Sequence, residues 1–308
     1  MTAASDSAGT RKPHTAGNRP LLGIALLVAG VGLFTVNDAV SKWLTPFYPV
    51  SQFIFVRGCF AVATVLVFVM CTGGLGQLRL NNWIGQVSRS ASQAIGTLLV
   101  VATLGFLPLA IVSSLLFASP MIMAALSGPM LGERVGWRRW AAIILGFVGV
   151  IVIIQPGTDQ FQLLMLVPLL GAFALSMRDL LSRSLSRTET PASILFMGVL
   201  GQMVVGVLAI PLAVGPVVGP WTAIETVHLM SMMGSGIVGG IGQFLVVQAF
   251  RVAEASLLAP FKYSALIWAL LLGYVFWGDF PSLMALSGAG IVVASGLYMS
   301  SLRETKVK

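Results

Sequence analysis

Two charged side chains stand inside long apolar runs: Asp38 in VGLFTVNDAVSKWL (31–44) and Arg57 in VSQFIFVRGCFA (50–61). A charge deep in a bilayer costs on the order of 2.5–3.5 kcal/mol on insertion scales, so each needs a partner or a function. At 1.5 Å rise per residue, both lie about 10 Å from the helix ends at Leu44 and Val50. Antiparallel neighbours at one depth can pair, and Lys42, one helical turn from Asp38, can share its carboxylate. Two uses fit this cluster. It is a structural ion pair that fixes two helices, or it lines an external vestibule and binds the charged ends of a zwitterion.

A third group lies in APFKYSALIW (259–268), where Lys262 precedes Tyr263 and Trp268. Lys262 either snorkels toward the interface on its aliphatic stem or meets a substrate carboxylate beside two rings. Phe244 adds another aromatic group, although rings in spans are usually packing or lipid-facing. Gln93, Thr97, Gln202 and Gln243 fall near mid-span and can bond to cargo, although helix–helix bonding is their commoner role. Arg89, Arg178 and Asp179 lie within two turns of span ends and read as interface anchors. The run GSGIVGG (234–240) fits the dinucleotide fingerprint G-x-G-x-x-G, but that fingerprint needs a strand before it, whereas these glycines sit inside an apolar run. Gly146, Gly149, Gly288 and Gly290 are packing or hinge positions.

The elements that must hold these residues follow from composition. Of 308 residues, 57% are hydrophobic and 9% charged, against about 25% charged in an ordinary soluble domain. The apolar residues form continuous runs matching the bilayer thickness, which predicts spanning helices and excludes the alternating pattern of barrel strands. Breaks at Pro, Gly and charge clusters predict ten spans: 21–44, 50–71, 83–104, 108–131, 138–155, 162–181, 191–213, 227–250, 256–277 and 282–301. Residues 1–19 and 303–308 read as cytoplasmic tails, the first of them disordered.

Lys and Arg gather on alternate loops. With the amino terminus inside, one side receives Arg79, Arg134, Arg138, Arg139, Arg183, Arg187 and Arg251, and the other only Lys42. The positive-inside rule then places both termini in the cytoplasm. Similar turns, LGERVG (131–136) and WGDFPS (277–282), close spans four and nine. An odd number of spans per half inverts the second copy, putting Glu133 inside and Asp279 outside, as expected of inverted-repeat transporters with a midplane site. The halves are 20–155 and 156–302. Gln93 and Gln243 then lie on equivalent spans, three and eight, which makes them the preferred uncharged cavity candidates.

The segments VGLFTVNDAVSKWLTPFYPVSQFIFVRGCFA (31–61), LPLAIVSSLLFASPMIMAALSGPMLGER (107–134) and APFKYSALIWALLLGYVFWGDFP (259–281) resemble the drug/metabolite transporter superfamily, EamA type. The shared signals are the Gly-Glu and Gly-Asp turns closing spans four and nine, the arginine in span two, and Trp140 followed by Gly-spaced apolar residues to Gly149. The resemblance implies a secondary transporter of the bacterial inner membrane, most like exporters of amino acids, aromatic ones included. Uptake of another metabolite and export of drugs or organic cations are the alternatives within that fold. It also implies that span nine lines the central cavity. The second half lacks an arginine in span seven to match Arg57.

Other function classes lack their groups. No G-x-x-x-x-G-K-[ST] loop is present for ATP coupling. An intramembrane enzyme would have His228 as its one histidine beyond the amino-terminal tail, without a G-x-S-x-G elbow. No channel filter is visible. Cys59 and Cys71 are too far apart on one helix to bridge, and no metal or cofactor is implied. The formal charge of +8 is scattered between spans, which argues against nucleic acid. The expected partners are lipid and a small-molecule substrate such as an amino acid, and nothing requires an obligate protein partner. Asp38 is the one carboxylate well inside a span, so proton coupling has a single candidate and facilitated diffusion or exchange is the alternative.

Overall fold

The computed structural model describes residues 20–131, 136–159, 161–185, 188–212, 215–217, 219–253 and 255–302. Both tails, together with Glu133, Arg134 and Arg187, lie outside the described residues. Lipid offers no hydrogen-bond partners, so each span closes its backbone bonds within itself. Ten helical stretches are long and apolar enough to cross a membrane. Spans one to three are α1 (Pro20–Leu44), α2 (Val50–Thr72) and α3 (Trp83–Leu104); span four is α4 (Leu109–Leu116) with α5 (Ser119–Leu131), and span five is α6 (Trp137–Ile154). Spans six to eight are α7 (Leu166–Leu185), α8 (Pro191–Leu208) and α9 (Thr226–Val252). Span nine follows the one-turn α10 (Ala255–Leu258) and is mainly α11 (Ser264–Trp277); span ten is α12 (Leu283–Ser301).

Two spans expected to be continuous are interrupted. Span four breaks at Phe117–Ala118, between α4 and α5, and span nine opens with a 3₁₀ segment, Ala259–Tyr263. Each break lies beside a proline, Pro120 or Pro260. Proline has no N–H to donate and disfavours helical geometry in the residue before it, so regular α-helix is interrupted near each ring.

Packing between spans is ordered by small residues. Span one runs along span eight and span six along span three. Spans two and seven, five and ten, and four and nine also pair, while span one touches nine and span four touches six. A Cβ on Gly30 would stand 2.9 Å from the Gly242 carbonyl oxygen, and one on Gly149 would stand 2.9 Å from that of Gly288. Such contacts are how helices associate where no hydrophobic effect separates helix from lipid. Within GSGIVGG, a Cβ on Gly236 would come within 2.7 Å of the Arg57 carbonyl oxygen and one on Gly240 within 2.9 Å of Thr64. These glycines seat α9 against α2, as the packing reading requires. Gly290 has open space around it and is no packing position.

The chain alternates between two faces. On one, Lys42 meets Asp279 and the Tyr48 hydroxyl lies 2.8 Å from His228 Nδ1. On the other, Glu189 ties the loop before span three to the loop before span seven. Its Oε1 accepts from the backbone N–H groups of Asn81 (2.8 Å) and Asn82 (2.5 Å), and its Oε2 from Gln86 Nε2 (3.3 Å) and Ser193 Oγ (3.2 Å). Burial pushes the Glu189 carboxyl up, but these four bonds outweigh it and hold the group below its ordinary 4.5.

A carboxyl lowered by folding stabilises the protein above its ordinary value and loses that contribution as pH falls through the folded-state value. Melting of purified protein is therefore expected to drop on acidification below about pH 4.5. Glu189→Gln should lower the melting temperature at neutral pH and flatten that dependence. Gly149→Leu and Gly288→Leu, which force side chains into backbone contact, should each cost about 1–3 kcal/mol, read as loss of monodisperse protein or a lowered melting temperature. Gly290→Leu should be tolerated.

Candidate functional site

Asn37, in the half of α1 nearer Lys42, faces α2 and α9, and Asp38 is the next residue. Arg57, 6% exposed, reaches the Asn37 amide with Nη1 at 3.4 Å. Ser235 on α9 lies 2.5 Å from the same amide. Turning the amide over, an assignment made from the hydrogen-bond network, lets Asn37 accept from Arg57 at 3.2 Å and donate to Ser235 Oγ. Arg57 also lies over the Phe53 ring at 5.2 Å. Asp38 is near enough for its charge to act on Arg57, but the two form no ion pair among the described residues. Asn37 stands between them in the hydrogen-bonding role. Asn37 and Ser235 were not singled out from sequence, and the one signal for them was their small polar side chains on facing spans.

Lys42 does not share the Asp38 carboxylate. Its ammonium lies 2.6 Å from Asp279 Oδ2, donates to the Leu107 carbonyl at 3.3 Å and sits 5.0 Å from the centre of the Trp277 ring. Gly278, at φ 66°, ends α11 in the left-handed region, a conformation glycine adopts without Cβ strain. That turn carries Asp279 to Lys42. One side chain thus joins the end of span one to the start of span four and the end of span nine.

The second polar cluster lies toward the Glu189 face. Arg89 is not an interface anchor: it is 7% exposed, its Nε donates to Ser182 Oγ (2.7 Å) and its Nη1 to the Ile194 carbonyl (3.0 Å). It thereby holds spans three, six and seven together. Arg178 and Asp179 pair at 2.7 Å and lie near enough for their charges to act on Arg89 and on Lys262. Lys262 is exposed and lies within range of the charges of Asp179 and Arg178. Beside it the Tyr263 ring meets Phe117 at 4.9 Å, so the breaks of spans nine and four touch. Trp268 packs on Gly32 of α1, where a Cβ would stand 3.0 Å from the indole.

The uncharged candidates divide. Gln202 Nε2 donates to Thr97 at 3.2 Å, a span-to-span bond. Gln93 is half-buried against Gly198 of α8, and Gln243 is half-buried on α9. Phe244 packs on Phe68 at 4.9 Å. His228 is stacked on Phe47 and edged by Trp43 and Tyr48, so it fastens the start of α9. A crevice of about 290 Å³ lined by Phe60, Ala63, Thr64, Val67, Met233 and Ile237 contains no candidate residue. With Val67 61% exposed, it is an apolar surface groove. Among the described residues no group of His, Cys, Asp and Glu is placed to hold a metal.

Ten apolar spans, two of them interrupted and touching at the breaks, with charged clusters between helices, define a multi-pass membrane transporter architecture. Residues 21–155 match the EamA-like transporter family, the type that the sequence resembles. It is similar to an S-adenosylmethionine uptake transporter of Rickettsia bellii, 26% identical over 90% of this chain and 93% of that one. A riboflavin transporter of Rhizobium johnstonii is 29% identical over 89% of each chain. A pseudopaline exporter of Pseudomonas aeruginosa is 23% identical over 92% of this chain and 97% of that one. A crystal structure of a protein 18% identical covers 93% of this chain and 98% of its own with a TM-score of 0.64, a likeness of fold. The protein is a multi-pass transporter of the bacterial inner membrane for a small-molecule substrate.

The Lys42–Asp279 contact is partly buried, with side chains 10% and 31% exposed. Lys42→Met or Asp279→Asn alone should destabilise the protein by about 1–3 kcal/mol, because each leaves one charge behind. The exchanged pair Lys42→Asp with Asp279→Lys should recover most of that loss in a thermal melt.

Proposed function

We propose that the protein is a secondary transporter working by alternating access. Its two inverted five-span halves, 20–155 and 156–302, bind one metabolite between them, and both termini are cytoplasmic. The carrying observation is the meeting of the two interrupted spans. The Tyr263 ring at the break of span nine touches Phe117 at the break of span four, and the neighbouring Lys262 is exposed. Discontinuous helices at corresponding places in two halves are where transporters of this architecture form their sites, since unwound backbone can line a cavity. Ser264 supports this: its hydroxyl, next to the break, is buried without a hydrogen-bond partner, as a group kept for a ligand would be.

The cargo is a metabolite with a flat aromatic part and a charged or strongly polar end. Tyr263 and Trp268 would take the first, with Lys262, Asp38 and Arg57 serving the second and Gln93 and Gln243 on the walls. The relatives named above move S-adenosylmethionine, riboflavin and pseudopaline. S-adenosylmethionine and riboflavin each join a fused heterocycle to a polar tail, and this favours a larger cargo than the amino acid expected from sequence. The names support uptake and export alike, so direction is a result of the test. A transporter of this design is not an enzyme, and nothing in the reading requires a cofactor.

Proteoliposomes loaded with S-adenosylmethionine, riboflavin or amino acids decide it by counterflow, with and without a pH gradient. Counterflow of a heteroaromatic metabolite is expected, with Lys262→Gln lowering it on the order of ten-fold while the melting temperature holds. Counterflow of amino acids alone would restore the amino-acid reading. If a pH gradient drives uptake, Asp38→Asn should abolish that drive, whereas a gradient without effect removes proton coupling.

A further inference from the structure

The two charged clusters are built from the same sequence pattern. Asn37-Asp38-x-x-Ser41-Lys42 on span one recurs as Arg178-Asp179-x-x-Ser182-Arg183 on span six. Asp38 lies six residues before the end of α1 at Leu44, and Asp179 six before the end of α7 at Leu185. Each carboxylate is thus about 9 Å from a helix end, on opposite faces, at 1.5 Å per residue. The packing repeats too. Gly30 of span one meets Gly242 of span eight, and Gly171 of span six meets Gly96 of span three. Gly30 and Gly171 are separated along the chain by the same number of positions as Asp38 and Asp179, and as Lys42 and Arg183.

The same spacing carries Arg57 of span two onto Gly198 of span seven, the place where an arginine is missing. The guanidinium there comes from elsewhere. A Cβ on Gly198 would stand 3.0 Å from Arg89 Nη1 and 2.8 Å from Gln93 Oε1. The spacing from Gly96 to Gly242 carries Arg89 onto Ser235, the residue that meets Asn37 beside Arg57. An arginine on span two with a small residue on span eight has become a glycine on span seven with an arginine on span three. The arginine has changed helix and kept its place beside the aspartate.

We propose that Arg89 and Asp179 form a second half-site, equivalent to Asp38 and Arg57, which receives the same charged end of the metabolite on the opposite side of the transport cycle. Asp179, paired with Arg178 at 2.7 Å, is the binding residue, and Arg89, held by Ser182 and the Ile194 carbonyl, places a second guanidinium within range of its charge. This rests on the transporter reading and adds a location to it: the cargo's zwitterionic or polar end is held first by one carboxylate–guanidinium cluster, then by its counterpart. The second cluster carries one more cation than the first, since Arg178 pairs with Asp179 at 2.7 Å, so the two half-sites are equivalent in position and not in net charge.

Sided kinetics test the half-site, with S-adenosylmethionine as probe in right-side-out and inside-out membrane vesicles. Asp179→Asn should raise KM on the order of ten-fold from the cytoplasmic side and leave the other side within about two-fold; Asp38→Asn should do the reverse. Equal effects on both sides, or none from Asp179→Asn, would overturn the proposal. The equivalence has its own readout that needs no substrate. Arg89→Ala should lower the melting temperature of the full chain, and adding Gly198→Arg, which returns the guanidinium from span seven, should restore at least half of the loss. No restoration would overturn the equivalence even if transport is intact. If the wild type carries no S-adenosylmethionine, the cargo reading falls while the melting comparison still decides whether Gly198 and Arg57 are the same place.

Discussion

Every charge brought among these helices has to be answered by another group of the same chain, because the surrounding lipid offers neither water nor counter-ions. Arg57 and Arg89 are almost fully buried, and each is held by hydrogen bonds with a carboxylate within range of its charge. The need to satisfy them fixes which spans are neighbours: Arg57 brings span two to spans one and eight through Asn37 and Ser235, and Arg89 brings span three to spans six and seven through Ser182 and the Ile194 carbonyl. Lys42 does the same at one face, where Asp279, Leu107 and Trp277 converge on a single ammonium. The polar residues are few, so each carries a large share of the arrangement.

Between these fixed points the helices associate through contact of small residues. Glycine pairs such as Gly30 with Gly242 and Gly149 with Gly288 bring backbone against backbone, and dispersion over a close contact replaces the hydrophobic effect that would join helices in water. Surfaces of this kind can slide or rock without exposing polar groups. The proline-interrupted spans complement them, since a broken helix frees carbonyl and amide groups that must be used inside the protein. The freed groups are where a polar cargo can be met.

The relatives show why fold and cargo are separate questions. Proteins covering nearly the whole chain at 23–29% identity are named for S-adenosylmethionine, riboflavin and pseudopaline. Chains similar over nearly their whole length are thus named for very different cargoes. In the reading proposed for this chain, the cavity-side groups are Lys262, Tyr263 and Trp268 on span nine with charged clusters on either side. That combination suits a cargo with both an aromatic surface and a charged end.

Span number, helical class and family were legible in the sequence because they depend on composition and on the length of apolar runs, which bilayer thickness converts directly into structure. The Gly-Asp turn at 278–279 and the buried Asp38 and Arg57 were legible for the same reason, since charges stand out in an apolar run. Partners were not. Lys42 is one turn from Asp38, and local geometry suggested that pair, yet the ammonium goes to Asp279, distant in sequence. From its place near a span end Arg89 reads as an anchor, because distance from the helix end says nothing about which neighbours enclose it. The breaks in spans four and nine were signalled by Pro120 and Pro260, but hydropathy averages over such residues. The repeated Asp-x-x-Ser-Lys/Arg pattern was present in the letters, and it took the Gly198–Arg89 contact to show why one half could lose its arginine. Sequence alone determined what must be buried in lipid. Only the tertiary structure decided which buried charge answers which, because those pairings join residues on different helices and are set by packing rather than by any local pattern.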